Sequence, residues 1–507
     1  MASTNLDEKG GVSPIVEITP APSAVQGSLD DNYELYKRMR DIEIDPAEAK
    51  KVLRKIDLRI LSLMMVTYVL QYLDKNCINV ASVYGLKKDT HLVGQEYSWA
   101  TSMFYVGYLV FQFPFGFLLQ HLPTGRLLST TVICWGIVLI TTPACTSFAG
   151  LATNRFLLGA FESAINPGFV LLMSMWYTVG EQPLRLESYY STIGVATMFS
   201  GLIGYGVGHI NTGLAKWQYI FLIFGAITTA WGLIMLYFLP DSPSTTRFFT
   251  PYERGIAVER VATNKQGVKN RVFKPYQAVQ MVKDPKTWIL FIMAVSAQIP
   301  TAAVTSFASI NIKSFGFDTL TSQYMLIPGG AVQLFGMLLG GWVATRWPGT
   351  RCAVMVVANT ICIIGSGLLV GLPDDNKWGR LVALWLCYFQ NLGFSMSLTM
   401  ISSNVAGYTK KQLTSAVVFI GFCAGNIAGP QTFITSEAPK YRTAYRAMLI
   451  AYSIKLVMAF ILYVHMYMFN KKRDTEQAAS PVAENETIEL GMHDVTEIDN
   501  KGFRYIL

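Results

Sequence analysis

Long apolar runs, separated by short polar segments, are the dominant pattern along this chain of 507 residues. Runs of about 18 to 25 apolar residues match the length that a helix needs to cross the hydrocarbon core of a bilayer. Twelve such runs predict an all-α membrane protein with twelve transmembrane helices. They cover approximately residues 56–79, 98–120, 126–146, 149–178, 188–210, 217–239, 287–311, 323–344, 352–372, 380–406, 413–434 and 445–469.

The longest internal polar stretch separates six predicted helices from the six that follow. This division predicts two six-helix halves joined by a cytoplasmic loop. We expect an N-terminal cytoplasmic tail with a short amphipathic helix (1–55), a first half (56–240), a central loop (241–286), a second half (287–470) and a cytoplasmic tail (471–507).

Two polar segments carry signals for short helices. Asp45 as N-cap, Pro46 at the first position and Glu48 at the third predict a capped amphipathic helix that lies along the membrane surface. Thr250-Pro251-Tyr252-Glu253 predicts a second helix in the central loop. The apolar cluster 503–507 ends the acidic tail, and its pattern fits either a docking or trafficking signal or an incidental end.

Composition and charge support a membrane protein with both termini in the cytoplasm. Hydrophobic residues make up 51% of the chain and charged residues 15%, whereas soluble domains carry about 25% charge. The net charge of +8 does not indicate a nucleic-acid partner, because Lys and Arg concentrate in segments on the side of the N-terminus. This is the positive-inside pattern. No signal peptide is evident, so the first span is expected to direct insertion.

The sequence contains no pattern typical of an enzyme. Its seven cysteines fall in or beside apolar runs without the spacing of a zinc or redox site. A phosphate-binding Gly-Lys-Ser loop and other cofactor motifs are also absent. We therefore expect no catalytic activity, no cofactor and no metal.

Charged residues inside the apolar runs indicate a functional centre. Asp74 and Lys75 are adjacent in the first run, and Arg155 and Glu162 lie seven residues apart in the fourth. A charge at the centre of a bilayer costs roughly 2.5–3.5 kcal/mol on insertion scales. A spacing of seven returns to the same helix face. Together these residues predict a protonatable centre in a helical bundle, which is typical of a transporter.

Matching motifs follow the second span of each half. The first half has Gly116-Phe117-Leu118-Leu119 through Pro123-Thr124-Gly125-Arg126, and the second has Gly341 through Arg346, Gly349 and Arg351. Such a repeat in two six-span halves indicates a duplicated transporter.

On these motifs the chain resembles the major facilitator superfamily. Segment 341–351 is similar to the G-x-x-x-[DT]-R-x-x-G-x-R signature, and Arg155 through Gly159 to its fourth-span R-x-x-x-G pattern. Within the superfamily it resembles the anion:cation symporters, most closely the fungal allantoate permease family. Further matching segments are Tyr72-Leu73-Asp74-Lys75, Gln95 to Trp99, Phe104 to Tyr108, Pro240-Asp241-Ser242-Pro243, Asn404 to Lys411, Gly425 to Phe433 and Ala438 to Tyr441.

The resemblance implies proton-coupled import of a small organic anion at the fungal plasma membrane, with allantoate or ureidosuccinate-type ureides as the preferred substrates. Alternative substrates are vitamin carboxylates such as nicotinate and pantothenate, other carboxylates and small peptides. A transporter-like nutrient sensor and an exporter are alternative functions. Many relatives have Arg where this chain has Lys75, which keeps the charge and loses the bidentate fork. We expect the partners to be the substrate, protons and the bilayer, with the protein a monomer.

We assign the intramembrane charges as follows. Asp74 and Glu162 are the expected proton-coupling residues, and the resemblance supports this role for Glu162. Lys75 is the first candidate to bind the substrate carboxylate, and Arg155 is the expected charge partner of Asp74 or Glu162. The alternatives are a permanent structural ion pair for Asp74 and a snorkelling side chain for Lys75.

Amides in the second half are the expected remainder of the binding site. Each offers both a donor and an acceptor, which suits a ureide or an amide. Hydrogen bonding between helices, typically worth about 0.6 kcal/mol, is the structural alternative. The candidates are Asn426, Gln390, Asn391, Gln431 and Gln298, with Tyr72 from the first half as a wall of the cavity.

Charged residues in the cytoplasmic segments are expected to act as a gate. We predict that they form an ion-pair latch that stabilises the outward-open state and breaks on inward opening. The candidates are Arg126, Glu181, Arg185, Arg346 and Arg351.

Overall fold

The computed structural model describes residues 45–178, 181–210, 213–243, 246–262, 274–347, 349–479 and 495–507. The regular structure of these residues is helical throughout. The α-helices are α1 Pro46–Ile56, α2 Ser62–Ser82, α3 Leu86–Asp89, α4 Glu96–His121, α5 Thr124–Thr141, α6 Phe148–Glu162, α7 Ile165–Trp176, α8 Gln182–Gly208, α9 Lys216–Phe238, α10 Pro251–Ala262, α11 Pro275–Lys283, α12 Pro285–Gln298, α13 Thr301–Thr305, α14 Ala308–Ser314, α15 Thr319–Tyr324, α16 Leu326–Arg346, α17 Arg351–Gly371, α18 Lys377–Leu386, α19 Gln390–Asn404, α20 Tyr408–Gln431 and α21 Arg442–Ala479.

Each predicted apolar run coincides with one helix or with consecutive helices, which confirms the all-α membrane fold. Within the described residues, eleven helical segments are long and apolar enough to cross a bilayer. The predicted fifth span coincides with α8, a helix of 27 residues that does not belong to those eleven. The count of twelve spans and the cytoplasmic termini therefore stay predictions. We use "cytoplasmic end" and "outer end" in the sense of that predicted orientation.

Three spans are interrupted beside a predicted site residue. Glu162 ends α6, Gln298 ends α12 and Gln390 begins α19 after a short 3₁₀ turn. Pro300 accounts for the second interruption, because it lacks the N–H that would continue the helix. Backbone groups near such breaks lack their usual helical partners, so they favour polar chemistry inside a bundle.

The N-terminal helix α1 differs in part from its prediction. The Asp45 carboxylate accepts from the Ala47 N–H at 2.9 Å, which confirms the N-cap. Glu48 does not complete a capping box, because it pairs with Lys51 at 2.7 Å. The helix continues through a π-helical turn into the first span, and Val52 is buried, so α1 packs against protein on this side.

In the central loop, the predicted start of α10 is confirmed. The Glu253 N–H donates to Thr250 Oγ1 at 3.2 Å, and the Thr250 N–H donates to Glu253 Oε2 at 3.0 Å. This is a complete capping box. Glu253 also pairs with Lys55 of α1, so the loop helix and the N-terminal helix are joined by an ion pair.

Close helix contacts fix the spans that carry the site. A Cβ atom at Gly159 of α6 would lie 1.9 Å from the Phe104 carbonyl oxygen of α4, so these helices approach at a distance that only glycine allows. Gly194 of α8 similarly faces Gly330 of α16, where a Cβ atom would lie 2.6 Å from the carbonyl oxygen. The first contact sets the second and fourth spans side by side, and the second joins the two halves.

Candidate functional site

An ion pair between Lys75 and Glu162 is the central feature of the site. Lys75 Nζ lies 3.2 Å from Glu162 Oε2, and the Glu162 side chain is fully buried whereas one fifth of the Lys75 side chain is exposed. The Lys75 ammonium also lies 5.4 Å and 5.7 Å from the ring centroids of Phe104 and Tyr108. Aromatic faces attract a cation at these distances. The ammonium is therefore held by one carboxylate and two rings.

The pair lies where the two halves meet. The ring of Tyr108 is 5.3 Å from that of Phe419, and the ring of Tyr105 is 6.1 Å from that of Phe422. Both phenylalanines belong to α20 in the second half. The amide of Asn426 donates to the Phe422 carbonyl at 2.9 Å, one helical turn away. Helix α20 therefore connects the ion pair to the amides of the second half.

Asp74 points away from this interface into the first half. Its Oδ2 atom accepts hydrogen bonds from Trp135 Nε1 at 2.6 Å and from Thr228 Oγ1 at 2.8 Å. The side chain is fully buried, and Oδ1 makes no hydrogen bond to the described residues. Asp74 and Lys75 diverge because consecutive helical residues point about 100° apart.

Arg155 is buried without the ion pair that we expected. Its guanidinium carbon lies 5.3 Å from the ring centroid of Phe221, and Nε and Nη2 make no hydrogen bonds within the described part of the chain. Seven residues along a helix correspond to a rise of about 10.5 Å, so Arg155 and Glu162 share a face without touching. Lys75, not Arg155, is the charge partner of Glu162 in this conformation.

Three of the predicted amides form one network. Gln298 Oε1 accepts from Asn426 Nδ2 and from Thr301 Oγ1, each at 3.1 Å. Gln390 Nε2 donates to the same Thr301 hydroxyl at 3.3 Å. Tyr452 then donates to Gln390 Oε1 at 2.7 Å. The network therefore joins the seventh, tenth, eleventh and twelfth predicted spans.

The other predicted binding residues lie outside this network. Gln431 donates to Ser102 Oγ at 3.1 Å and so ties the second half to the first. Asn391 is half-buried. The buried hydroxyl of Tyr72 makes no hydrogen bond among the described residues. Gln431 thus serves as an interhelical tie here, and the Tyr72 hydroxyl keeps its hydrogen-bonding capacity.

Further contacts close the outer end between the halves. The Tyr97 hydroxyl donates to the Ser306 carbonyl at 2.7 Å, and the Ser309 N–H donates to Asn79 Oδ1 at 2.9 Å. Tyr97 also packs edge-on against Phe307, with ring centroids 5.2 Å apart. These bonds join the first and second spans to the seventh.

The predicted gating residues of the first half pair with the first half and the central loop in this conformation. Arg185 bonds Asp57 at 2.8 Å and Glu181 bonds Arg260 of α10 at 2.7 Å. Arg126 lies 3.3 Å from Asp241 at the start of the central loop. Arg351 contacts Ser403 of the second half, and Arg346 is exposed. Among the described residues no ion pair joins these two sets.

A buried charge cluster beneath the second half was not predicted from the sequence. Glu497 of the tail is fully buried and binds Lys286 at 2.7 Å, Lys410, and the Ala406 N–H at 2.9 Å. Asp284 completes the cluster, 2.7 Å from Lys410. Burial opposes ionisation of Asp284, but the neighbouring ammonium groups outweigh it and hold the pKa of this carboxyl below its usual range.

The end of the chain is docked beside this cluster. The Lys286 ammonium donates to the Tyr505 hydroxyl at 2.9 Å. Asn404 and the Ile506 backbone exchange two hydrogen bonds, at 2.7 Å and 2.9 Å. The 503–507 cluster is therefore a docking segment for the protein's own second half. Its mixture of aromatic and apolar residues in an acidic tail was the available signal.

Comparison with known proteins places this arrangement in a family. The Major Facilitator Superfamily profile matches residues 64–430. An uncharacterised transporter of Schizosaccharomyces pombe is 34% identical over 100% of this chain and 95% of its own length. The allantoate permease of Saccharomyces cerevisiae is 33% identical, with 95% and 91% covered. The solved structure of the proton:xylose symporter XylE shares the fold, with a TM-score of 0.61, 12% identity, and 81% and 95% covered.

Proposed function

Because this chain belongs to the major facilitator superfamily, we propose that it is a symporter that imports a small organic anion with at least one proton. The observation that carries the proposal is the ion pair of Lys75 and Glu162 at the interface of the halves. A buried carboxylate that neutralises an ammonium at the interface of the halves is suited to exchange a substrate for a proton.

In the proposed mechanism, Lys75 exchanges its counterion. While Glu162 is ionised it neutralises Lys75, and a substrate carboxylate that enters adds an uncompensated negative charge. Protonation of Glu162 removes that charge, so the substrate carboxylate then takes its place beside the ammonium. Leaving one member of a buried pair unpaired costs about 3–5 kcal/mol. Lys75 without a counterion is therefore unfavourable. In the proposed mechanism it has one in both states, Glu162 when the site is empty and the substrate carboxylate when substrate is bound.

Asp74 is the proposed second proton carrier. Its Oδ1 atom has no hydrogen-bond partner among the described residues and can accept a proton, while Trp135 and Thr228 hold Oδ2 in place. With one proton, import of a monoanion is electroneutral. With two protons, one net positive charge enters, and a membrane potential contributes about 2.3 kcal/mol per 100 mV. The role of Asp74 therefore decides whether the potential drives uptake.

The amide network supports a ureide as the substrate. Asn426 lies on α20, the helix that packs beside the Lys75 ion pair, and its side chain is hydrogen-bonded to that of Gln298. Each amide offers a donor and an acceptor. A ureide carries a carboxylate and several amide-like groups, so it matches a cation beside amides. The allantoate permease that is 33% identical to this chain favours the same class. A vitamin carboxylate, another carboxylate or a small peptide remains the alternative substrate.

The cytoplasmic charges are proposed to act in gating. While the outer end is closed, Arg185 pairs with Asp57 of the first half and Glu181 with Arg260 of the central loop, so both are available to exchange partners when the cytoplasmic end closes. We place the protein in the plasma membrane as a monomer on the resemblance alone. A nutrient sensor of the same fold would bind the anion without transporting it.

The test is initial uptake of labelled allantoate by yeast cells that lack their own permease, at acidic pH, with and without a protonophore. Saturable uptake that the protonophore abolishes is the expected result. No uptake by a protein shown to be at the cell surface would reject allantoate, and the same cells would then be tested with nicotinate, pantothenate, dipeptides and simple carboxylates. Binding without uptake of any of them would favour the sensor.

A matched pair of variants tests the coupling itself. In Glu162→Gln, exchange of labelled for unlabelled substrate across the membrane should persist, while accumulation driven by a proton gradient is lost. Glu48→Gln removes an exposed carboxylate and should leave both activities unchanged. Full proton-driven accumulation in Glu162→Gln would refute the assignment of Glu162. The same comparison with Asp74→Asn decides whether it carries a second proton.

A further inference from the structure

We propose that the outer end of the second half carries a second anion-binding site, for a small ligand with a carboxylate or phosphate group. The site is a pocket of about 300 Å³ between the ends of α17, α18 and α21. This volume lies at the lower end of the range of small-molecule sites, about 300–1,000 Å³. Neither Lys75 nor Glu162 lines the pocket, and the site does not depend on the proposed function.

Positive charge dominates the lining of this pocket. Of the described residues that line it, four are cationic, Arg380, Lys440, Arg442 and Arg446, and one is a carboxylate, Asp374. Asp374 is already engaged, because it lies 3.3 Å from Arg380 and 2.6 Å from Lys440. Glu437 accepts from the Thr443 N–H at 2.8 Å and so caps α21; its bonds from Thr443 and, more weakly, the charges of Arg446 and Arg442 hold its pKa below the usual range.

Arg380 provides a fixed donor in the wall of the pocket. Its side chain is only 4% exposed, and its Nε atom is buried and makes no hydrogen bond to the described residues. The guanidinium carbon is 4.6 Å from the ring centroid of Phe315 and 5.9 Å from that of Tyr445. A buried guanidinium nitrogen without a partner is costly, so this geometry indicates a missing acceptor.

Arg442 and Arg446 provide the exposed side of the site. They lie four residues apart in the first turns of α21, so both side chains extend over the same face. Within the described part of the chain neither forms an ion pair. Two like charges at this spacing destabilise a helix, and an anion between them would relieve the repulsion. Guanidinium groups suit the task because they bind carboxylate and phosphate oxygens in pairs.

Two sources can supply such an anion at the outer end: a free solute, or the headgroup of an anionic lipid. Both have the oxygen chemistry that the arginines bind, and two probes separate them. Inorganic phosphate is titrated into the purified full-length protein by calorimetry. In parallel, the protein is reconstituted in phosphatidylcholine with or without phosphatidic acid, and native mass spectrometry counts the retained lipids.

The test variant is Arg442→Gln/Arg446→Gln, in which only exposed side chains change. The control is Lys88→Gln/Lys313→Gln, which removes two exposed lysines predicted at the same end of the protein. We expect the wild type and the control to bind at least one probe, and the test variant to bind it at least about tenfold more weakly. Size-exclusion chromatography checks that both variants are folded.

Each outcome has one meaning. Loss of phosphate binding in the test variant identifies a site for free anions. Loss of phosphatidic acid binding, with phosphate binding unchanged or absent in both proteins, identifies a site for a lipid headgroup. Equal binding of both probes by wild type and test variant, or an equal loss in the control, overturns the proposal. The variant Arg442→Lys/Arg446→Lys keeps the charge, so binding weaker than wild type there shows that the guanidinium geometry matters.

Discussion

Replacing Glu497 by glutamine tests how the tail is held under the second half. The substitution keeps the shape and one acceptor oxygen of the side chain, so the hydrogen bond from the Ala406 N–H can persist. It removes the negative charge that lies against Lys286 and Lys410. Any effect therefore reports the charge and not the size of the side chain.

The magnitude follows from the charge balance of the cluster. Two ammonium groups and two carboxylates, Asp284 and Glu497, face one another with every side chain almost fully buried. Glutamine at 497 leaves one buried positive charge without compensation. Breaking a buried ion pair in this way costs about 3–5 kcal/mol. At 1.4 kcal/mol for each factor of ten, docking of the tail should weaken roughly a hundredfold to a few thousandfold.

Hydrogen exchange read by mass spectrometry measures this change at the tail. The amides of Tyr505 and Ile506 are the reporters, because they donate to Asn470 Oδ1 at 2.9 Å and Asn404 Oδ1 at 2.7 Å in the docked state. Their exchange should accelerate by the same factor in Glu497→Gln. If both amides stay as protected as in the wild type, the ion pairs do not hold the tail.

The matched control is Asp499→Asn on the same segment. Asp499 is exposed and accepts from Gln280 Nε2 at 2.9 Å and 3.0 Å, so asparagine can retain a hydrogen bond to this neutral partner. Its effect on exchange should be within the roughly 0.5 kcal/mol that surface substitutions produce. An equal acceleration in both variants would mean that any change in the tail undocks it.

Two further predictions concern stability. Gly159→Ala should lower the thermal unfolding temperature in detergent and the yield of monodisperse protein, because its Cβ would meet the Phe104 carbonyl at 1.9 Å, whereas Gly116→Ala, with nothing within 4 Å, should not. The depressed pKa of Asp284 means that its stabilisation is complete above its unfolded pKa of about 3.9 and is lost as pH falls through the folded value. Asp284→Asn should therefore unfold at a lower temperature than wild type, and the difference between the two unfolding temperatures should be constant between about pH 8 and pH 5. The difference should disappear as pH falls below about 4, which a pH series of thermal scans checks. Convergence of the two temperatures already at pH 6 would contradict the prediction.

The helices could be predicted from the sequence because the bilayer leaves few alternatives. A chain inside hydrocarbon must satisfy its own backbone hydrogen bonds, so an apolar run of sufficient length becomes a helix. Pro300 even indicates one interruption. Pro167 in the first turn of α7 likewise indicates the interruption after Glu162, because it cannot bond the Ser163 carbonyl. The interruption before Gln390 has no comparable residue, and it depends on packing between helices.

The partners of the charged residues could be predicted only in part. Helical geometry requires Asp74 and Lys75 to face different neighbours, and the structure shows this divergence. Which neighbour each one meets depends on how five helices pack, and no local pattern contains that information. The shared face of Arg155 and Glu162 was a correct inference from spacing, but a shared face is not a contact.

The docked tail shows a second limit of sequence patterns. Its anchors, Asn404, Asn470 and Arg473, come from two distant spans, and each bonds tail backbone. Backbone recognition leaves little trace in the tail's own sequence. Only the buried charge of Glu497 and the aromatic side chains are specific, and an acidic residue in an acidic tail is not a distinctive signal.

Lysine at position 75 is a consistent choice for the proposed exchange of counterions. An ammonium is a compact charge with three donors that rotate freely, whereas guanidinium binds a carboxylate through a fixed fork. Lys75 can therefore pass from Glu162 to a substrate carboxylate by a small rotation, while Phe104 and Tyr108 keep the charge in place. A single ammonium recognises any carboxylate with little regard to the rest of the molecule. Under this mechanism, discrimination among organic anions must come from the amides of the second half, so Asn426 and Gln298 should set which anion is carried and Lys75 whether an anion is carried at all.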